Sequence, residues 1–339
     1  MTTLRVPYSD LYSALLRGTE HLGLRGERAA LCARLFAETT CDGVYTHGLN
    51  RFPRFAEMVR NGCIDVNAEA TRVSGAGALE RWDGHLGPGN LNAYAAMERA
   101  IALARQYGLG GVALANTNHW MRGGSYGWHA AEAGMFAMCW TNTLANLPPW
   151  GAATPALGNN PLVVAVPRVE GDHVVLDMAM SQFSYGTLEA YSARGQQLPV
   201  PGGYDEAGNL TTDAAAIEAS KRALAIGYWK GSGLSLVLDM LAAMLSGGQA
   251  THEIPQESTR ESGVSQVFLA IDAASLGDAA ERERTAAGIV ESLRETAPID
   301  ATRPVRYPGE QTLRVRRENM RLGVPVDAEV WARLQGLAF

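Results

Sequence analysis

Gly108-Leu-Gly-Gly-Val-Ala-Leu-Ala-Asn116 is the stretch on which the fold turns. Its first six residues approach the Gly-x-Gly-x-x-Gly/Ala spacing that, in a doubly wound parallel sheet, leads a strand into a helix. Here the order is reversed. Residues 90–107 place Leu91, Ala95, Met97, Ile101 and Ala104 at helical intervals, and residues 111–116 form a short apolar run of strand character. The stretch follows a helix and precedes a strand. Gly108 reads as a helix C-cap, a position that favours a residue free to adopt positive φ. A standard Rossmann fold is excluded on this reading, and no Walker A sequence is present either.

Moving outward, residues 8–40 predict two helices, through Leu11, Leu15 and Leu16 and then Leu31, Leu35 and Phe36. A polar, glycine-punctuated passage from Asp42 to Arg54 leads into a short helix over about 53–61. On the other side, 125–133 predicts a helix and 135–141 a strand. Strands at 162–166 and 173–176 are joined by a tight turn, Val169-Glu-Gly-Asp172. Residues 234–245 read as a strongly apolar helix, 265–271 as a strand and 278–295 as an amphipathic helix. Two short helices close the chain. The pattern predicts an α/β fold with a mixed sheet. Residues 71–299 are expected to form an α/β cofactor- and substrate-binding domain, and residues 1–70 and 300–339 a mainly helical lobe drawn from both termini. Two stretches, 147–161 and 196–209, are rich in Pro and Gly and read as long irregular loops, either functional or surface excursions.

The chain has 339 residues, 47% of them apolar and 19% charged, which suits a folded protein with a sizeable core. The net charge of −6 and the absence of a basic stripe argue against a nucleic-acid partner. The densest basic run is Arg314-Val-Arg-Arg317, with Arg321 nearby. It reads as a solvated helix face, or as a contact for a small anion or a second subunit. Cys32, Cys41, Cys63 and Cys139 make no CxxC pair, which suggests reduced thiols and a cytoplasmic setting. The first residues lack the basic-then-apolar order of a signal peptide, and no apolar run approaches a membrane span.

The seven histidines show no HxxxH or HExxH spacing, so no metal site is expected. No GxSxG elbow points to acyl transfer. His47 keeps the most suggestive company, with Arg51 four positions on and Arg54 beyond. In a helical or tightly turned passage, His47 and Arg51 share a face. An arginine grips a carboxylate with two parallel hydrogen bonds, and an imidazolium beside it can protonate a carbonyl oxygen as hydride reaches the carbon. The residues alone leave a second reading, a histidine that bonds its own loop. His119 follows the strand 111–116 at its carboxyl end, where ligands of α/β sheets gather, and either serves a site or stabilises its loop. Trp229-Lys-Gly-Ser-Gly233 leads into the helix from Leu234. It suggests an anion site at a helix start, or a helix merely capped by Ser232.

Five passages carry a resemblance. They are Gly43 to Phe55 around Tyr45-Thr-His-Gly48, Asn118-His-Trp-Met-Arg-Gly-Gly-Ser-Tyr-Gly127, Pro148-Pro-Trp-Gly151, Phe183-Ser-Tyr-Gly186 and Gly227-Tyr-Trp-Lys-Gly-Ser-Gly233. Together they resemble the type 2 malate/L-lactate dehydrogenase family, also called sulfolactate dehydrogenase-like, from about residue 10 to the C-terminus. The resemblance implies reduction of a 2-keto acid or cyclic imine, with NADH or NADPH held by a fold that is not of Rossmann type. It implies a homodimer with the active site near the subunit interface. It casts His47 as proton donor and Arg51 as carboxylate anchor, with His119 lining the nicotinamide and substrate pocket. Cofactor contacts fall on His173, Val174, Val175, Leu176, Asp177, Met178 and Ala179, on Trp229 and Lys230, and on Gly309, Glu310 and Gln311. Thr46 stands for the family's serine. Asn159 replaces a threonine near the pocket, and Glu310-Gln311 departs from a His-Glu pair. These departures bear on the substrate and on the cofactor. An acid at Glu310 or Asp177 is expected to favour NADH by accepting a ribose hydroxyl bond and repelling a 2′-phosphate.

Overall fold

The computed structural model describes residues 3–339. The chain opens with β1 (Thr3–Val6), α1 (Tyr8–His21), α2 (Gly26–Cys41) and α3 (Phe52–Arg60). A hairpin of β2 (Thr71–Ala76) and β3 (Leu79–Asp83) precedes α4 (Gly89–Tyr107), β4 (Leu109–Asn118), α5 (Gly124–Glu132) and β5 (Met135–Thr141). After the long loop come β6 (Leu162–Val166), β7 (Val174–Met178) and α6 (Tyr185–Ala193). The short strands β8 (Gly203–Tyr204) and β9 (Leu210–Thr211) lead to α7 (Ala214–Ser220) and α8 (Trp229–Ser246). β10 (Ser262–Asp272), α9 (Ala279–Arg294), α10 (Glu310–Leu322), β11 (Val324–Asp327) and α11 (Ala328–Gln335) complete it.

Gly108 ends α4 in the left-handed region at φ 82°, and its N–H donates to Ala104 O. The chain turns there into β4, as the reversed glycine pattern predicts. The seven strands of the main sheet run in the order β2-β3-β4-β10-β5-β6-β7. Only β3 and β4 pair in parallel; every other neighbouring pair in this sheet is antiparallel. The mixed sheet expected from the sequence is therefore present, without the run of parallel strands of a doubly wound fold.

β4 is buried along nearly its whole length, because helices cover both faces of the sheet. On one side Ala96, Met97, Ala100 and Ala104 of α4 pack on Val112, Leu114 and Phe268. On the other, Leu238 and Ala242 of α8 pack on Ala113 and Val267. The small residues of α4 let it approach the sheet closely, and Phe268 fills the space between with edge-on contacts to Trp120 and Tyr126. A fully buried side chain of this kind contributes roughly 1.5–3 kcal/mol. A third cluster joins Leu11 and Leu15 of α1, Phe36 of α2 and Phe52 and Phe55 of α3 to Val324, Val326, Trp331 and Leu334. Antiparallel pairing of β1 with β11 ties the two ends of the chain together there.

The expected strands extend outward by a few residues, to 109–118 and 262–272. The β2–β3 hairpin, α6 and α7 were not foreseen. α8 starts at Trp229 rather than Leu234, so Trp229 to Gly233 is the first turn of the helix. Ser232 is not its cap; its Oγ accepts the Trp150 N–H at 2.9 Å. All four cysteines are free thiols, and Cys32, Cys41 and Cys139 are buried. Among the described residues, no helix is long and apolar enough to cross a membrane.

Candidate active site

α2 ends at Cys41, and the chain then makes two successive 3-10 turns, Tyr45–His47 and Leu49–Arg51, before α3. Thr40 builds this corner: its Oγ1 donates to Phe36 O and accepts the Leu49 N–H at 2.8 Å. His47 thus projects from a short, pinned turn rather than from a free loop. β4 delivers the second histidine. Asn118 fixes the end of the strand through Nδ2, whose two hydrogens are shared among Cys63 O, Leu86 O and Gly87 O. His119 follows, and its Nδ1 accepts the Met121 N–H at 3.0 Å. Met121 holds φ 64°, a costly conformation for a long side chain, about 1–3 kcal/mol, that the surrounding packing must over-determine.

The two turns bring His47 and His119 together, 72 positions apart in the chain. Their rings stack with centroids 5.8 Å apart and planes 22° from parallel. Their electrostatic settings are alike in sign. Burial, then the Arg51 and Arg122 charges, bring His47 down to about 4. Burial, then Arg51 and His47, hold His119 well below its ordinary value. Both imidazoles are neutral at pH 7. In His119 the accepting Nδ1 leaves the proton on Nε2, which makes Nε2 a fixed hydrogen-bond donor. His47 Nδ1 sits 3.0 Å from Thr46 Oγ1. Arg51 is itself lowered to about 10 by burial and by Arg54, against the pull of Glu261 and Glu189. It stays cationic at neutral pH. Arg54 is committed to Ser258 O.

A buried ion network that the sequence did not reveal underlies these groups. Asp42, just ahead of the His47 turn, accepts from Arg122 and from Arg316 of α10, the latter through two bonds of 2.6 and 2.8 Å. Arg316 also lies over the Trp128 ring, 5.1 Å from its centroid. Arg122 follows His119 by three residues, so Asp42 locks the two histidine-bearing turns to each other and to α10. Its sequence signals were Arg122 inside the quoted His119 passage and Arg316 inside the basic run Arg314-Val-Arg-Arg317. Asp177 is close to the same network: its Oδ2 accepts the Gly124 N–H at 2.8 Å. Its residue opens to solvent while protein crowds its other sides. That crowding raises its pKa, and Arg122 and the Gly124 N–H oppose the rise.

The expected cofactor segments meet in part. β7 is the edge strand of the sheet, and the Val175 N–H donates outward to Pro308 O at 3.0 Å. The alternation of a strand puts the N–H and C=O of Asp177 on that same edge. His173 Nδ1 accepts the Arg168 N–H, and its ring tilts against Trp128. Gly309 caps α10 at φ 97° and lies so close to β7 that a Cβ would come within 3.1 Å of Val175 N and 3.3 Å of His173 O. His173 to Val175 and Gly309 to Gln311 are therefore neighbours. Beyond β7, the Ile226 N–H donates to Met180 O, which brings Trp229 and Lys230 to the far end of the same strand. Lys230, Gly231 and Ser232 already donate their N–H groups to carbonyls of residues 226–228, so the exposed Lys230 ammonium, rather than free backbone, is what this turn offers an anion. Glu310 pairs with Arg294 at 2.5 Å.

Asn159 sits apart from the histidines in its contacts. Its Oδ1 accepts from Thr143 Oγ1 at 3.3 Å and from Asn146 Nδ2 at 3.4 Å. Tyr185 OH donates to Asn146 O at 2.5 Å, and the next residue, Gly186, approaches Thr46 so closely that a Cβ would lie 2.7 Å from Thr46 Cγ2. The Asn159 loop thus reaches the His47 turn through Asn146 and Tyr185. Among the described residues no group of three or more His, Cys, Asp or Glu could hold a metal.

The profile of the malate/L-lactate dehydrogenase family matches residues 6–335. The chain is 47% identical to a 2,3-diketo-L-gulonate reductase of Escherichia coli O17:K52:H18 over 334 residues, 98% of this chain and 100% of that one. Among solved structures, sulfolactate dehydrogenase from Methanocaldococcus jannaschii is similar with a TM-score of 0.90 at 25% identity, covering 98% of this chain and 96% of that one. Malate dehydrogenase from Entamoeba histolytica shares the fold, with a TM-score of 0.93 at 22% identity over 99% and 98% of the two chains.

Proposed function

This chain belongs to the malate/L-lactate dehydrogenase family, and we propose that it reduces a 2-keto acid to the 2-hydroxy acid with a nicotinamide cofactor. The observation that carries the proposal is the stacked His47–His119 pair set among Arg51 and Arg122. That arrangement suits a small anion with a carbonyl beside its carboxylate. The outward edge of β7, the Asp177 carboxylate and the Lys230 ammonium form a donor and acceptor set that fits an extended dinucleotide. A reduced nicotinamide bound there supplies a hydride to the carbonyl carbon.

The rest is done by the protein. Arg51 binds the substrate carboxylate through two parallel bonds. His119, held with its proton on Nε2, donates a hydrogen bond to the carbonyl oxygen and orients it. His47 gives its proton to that oxygen as the carbon is reduced, and an acid so placed is worth about 10²–10⁴-fold. In the free protein His47 carries no such proton. The substrate carboxylate offsets the Arg51 charge, the second cause of the depression after burial, and so raises the His47 pKa when there is something to protonate.

2,3-Diketo-L-gulonate is the substrate we favour, because relatives bearing that activity in their names match the full length of the chain. Malate, lactate or sulfolactate chemistry and reduction of a cyclic imine are the other reactions the family offers. A panel of 2,3-diketo-L-gulonate, pyruvate, oxaloacetate, 3-sulfopyruvate and a cyclic imine carboxylate, read by nicotinamide absorbance, tests this. Consumption of the reduced cofactor is expected, fastest with the diketo acid. Consumption with none of them removes the proposal.

We also propose a homodimer formed through α8. Leu234, Val237, Leu241 and Met244 recur at helical intervals and stand exposed, Met244 at 74%, with Met240 and Trp229 beside them. Contiguous apolar area of this kind on one helix suits burial against a second copy. Light scattering is expected to give twice the chain mass, and Val237→Glu with Met244→Glu is expected to give one.

A further inference from the structure

The end of α9, the loop that follows it and the first turns of α10 line an open cavity of about 430 Å³. Arg294, Arg306 and Arg314 line it, with Glu310 and Gln311. The Glu310 charge is already answered. Its Oε1 accepts from Arg294 Nη2, which pairs the charge, while its Oε2 is buried without a hydrogen-bond partner. Arg306 and Arg314 differ from Arg294. Among the described residues neither pairs with a carboxylate. Both instead direct N–H groups at one neutral oxygen, Gln311 Oε1, which lies 2.5 Å from Arg306 Nη1 and 3.2 Å from Arg314 Nε. Two guanidiniums converging on one amide oxygen leave most of their donors and both charges unanswered. A phosphate monoester answers them: it carries a charge of about −1.5 to −2 near neutrality and three acceptor oxygens.

The cavity lies beside the point where α10 touches β7: its lining residue Glu310 follows Gly309, which lies against Val175 and His173. We infer that Arg306 and Arg314, with Arg294 beside them, form a phosphate-monoester site that receives the 2′-phosphate of NADPH and makes this chain prefer NADPH to NADH. The inference rests on the nicotinamide reading above and adds to it which of the two cofactors is taken. It reverses the preference expected from Glu310 as a bare acid, since Arg294 neutralises that acid. Arg306 and Arg314 are both solvent-exposed. Their effect is therefore screened by salt, with a Debye length near 10 Å at 0.1 M.

Calorimetric titration of the full chain with NADPH, NADH, 2′,5′-ADP and 5′-AMP tests this without reference to turnover. At low ionic strength NADPH is expected to bind on the order of tenfold more tightly than NADH, and 2′,5′-ADP similarly ahead of 5′-AMP. Arg306→Gln with Arg314→Gln is expected to bring both ratios close to one, and Arg314→Lys to keep part of each. Added salt is expected to narrow them. Thermal melts of the same samples establish that the variants are folded. Equal affinities in the wild type, or ratios that survive the double substitution, overturn the inference while leaving the cofactor reading in place. Failure of both dinucleotides to bind overturns the two together.

Discussion

The histidine pair and the Gln311 cavity hold arginines in opposite ways. Around His47 and His119, Arg51 and Arg122 are largely buried, and Arg122 is locked to Asp42 with a side chain 5% exposed. Around Gln311, Arg306 and Arg314 stand in solvent. Charge in the first setting acts through protein and moves neighbouring pKa values strongly. In the second it is screened and acts only on what docks directly. The buried setting is suited to chemistry, the exposed setting to selection.

This contrast can be broken in several places. The largest effect is expected at His47: His47→Ala should lower turnover by about 10²–10⁴-fold while dinucleotide affinity persists. Turnover near wild type would remove the histidine from the mechanism. Next is Asp42→Asn, which leaves the buried Arg122 without its counter-charge. Breaking a buried pair in this way costs about 3–5 kcal/mol, read as a fall in the urea midpoint. A midpoint within experimental error of wild type would mean that the network is not the lock described. Arg51→Gln should raise the KM for the keto acid by roughly 10- to 100-fold with a smaller change in dinucleotide binding. The KM difference between Arg51→Gln and wild type should change little with salt, whereas the NADPH-to-NADH ratio should shrink. Equal salt sensitivity in both settings would erase the comparison.

Smaller effects follow from titration. The folded-state pKa of His47 lies below that of the unfolded chain, so between about pH 4 and 6.5 the unfolded state binds more protons and stability rises with pH. His47→Gln should flatten that acid limb of the melting curve; an unchanged limb would place the titration elsewhere. Asn159→Thr should shift relative activities among keto acids only modestly, because the Asn159 side chain reaches the His47 turn through Asn146 and Tyr185. Identical ratios would take it out of the specificity argument.

Much of this was legible in the chain. The position of Gly108 between a helix and a strand excluded the parallel nucleotide fold, and periodicity located the principal strands. His47 and His119 could each be singled out from their surroundings. That they stack could not, because the contact depends on where α2 ends relative to β4. The run Arg314-Val-Arg-Arg317 shows why charge alone misleads. It read chiefly as one solvated face, yet a helix turns about 100° per residue. Arg314 lines the cavity, Arg316 is clamped by Asp42, and Arg317 pairs with Asp172 on the surface. The start of α8 was missed for a related reason. Glycines lower helix propensity, but Gly231 passes so close to Ile226 O that a Cβ would lie 2.2 Å away, and packing overrides propensity there.

The central claim is that a substrate carboxylate at Arg51 raises the pKa of His47 from its depressed value in the free protein. Oxamate, an unreactive analogue of a 2-keto acid, allows the direct measurement. Its binding enthalpy to the enzyme with reduced cofactor is taken from pH 7 toward 6 in buffers of different ionisation enthalpy, which counts protons. The account predicts net proton uptake on oxamate binding in the wild type, growing as the pH is lowered from 7 toward 6, and none in His47→Gln. Buffer-independent binding in the wild type, or uptake that survives in His47→Gln, would contradict it.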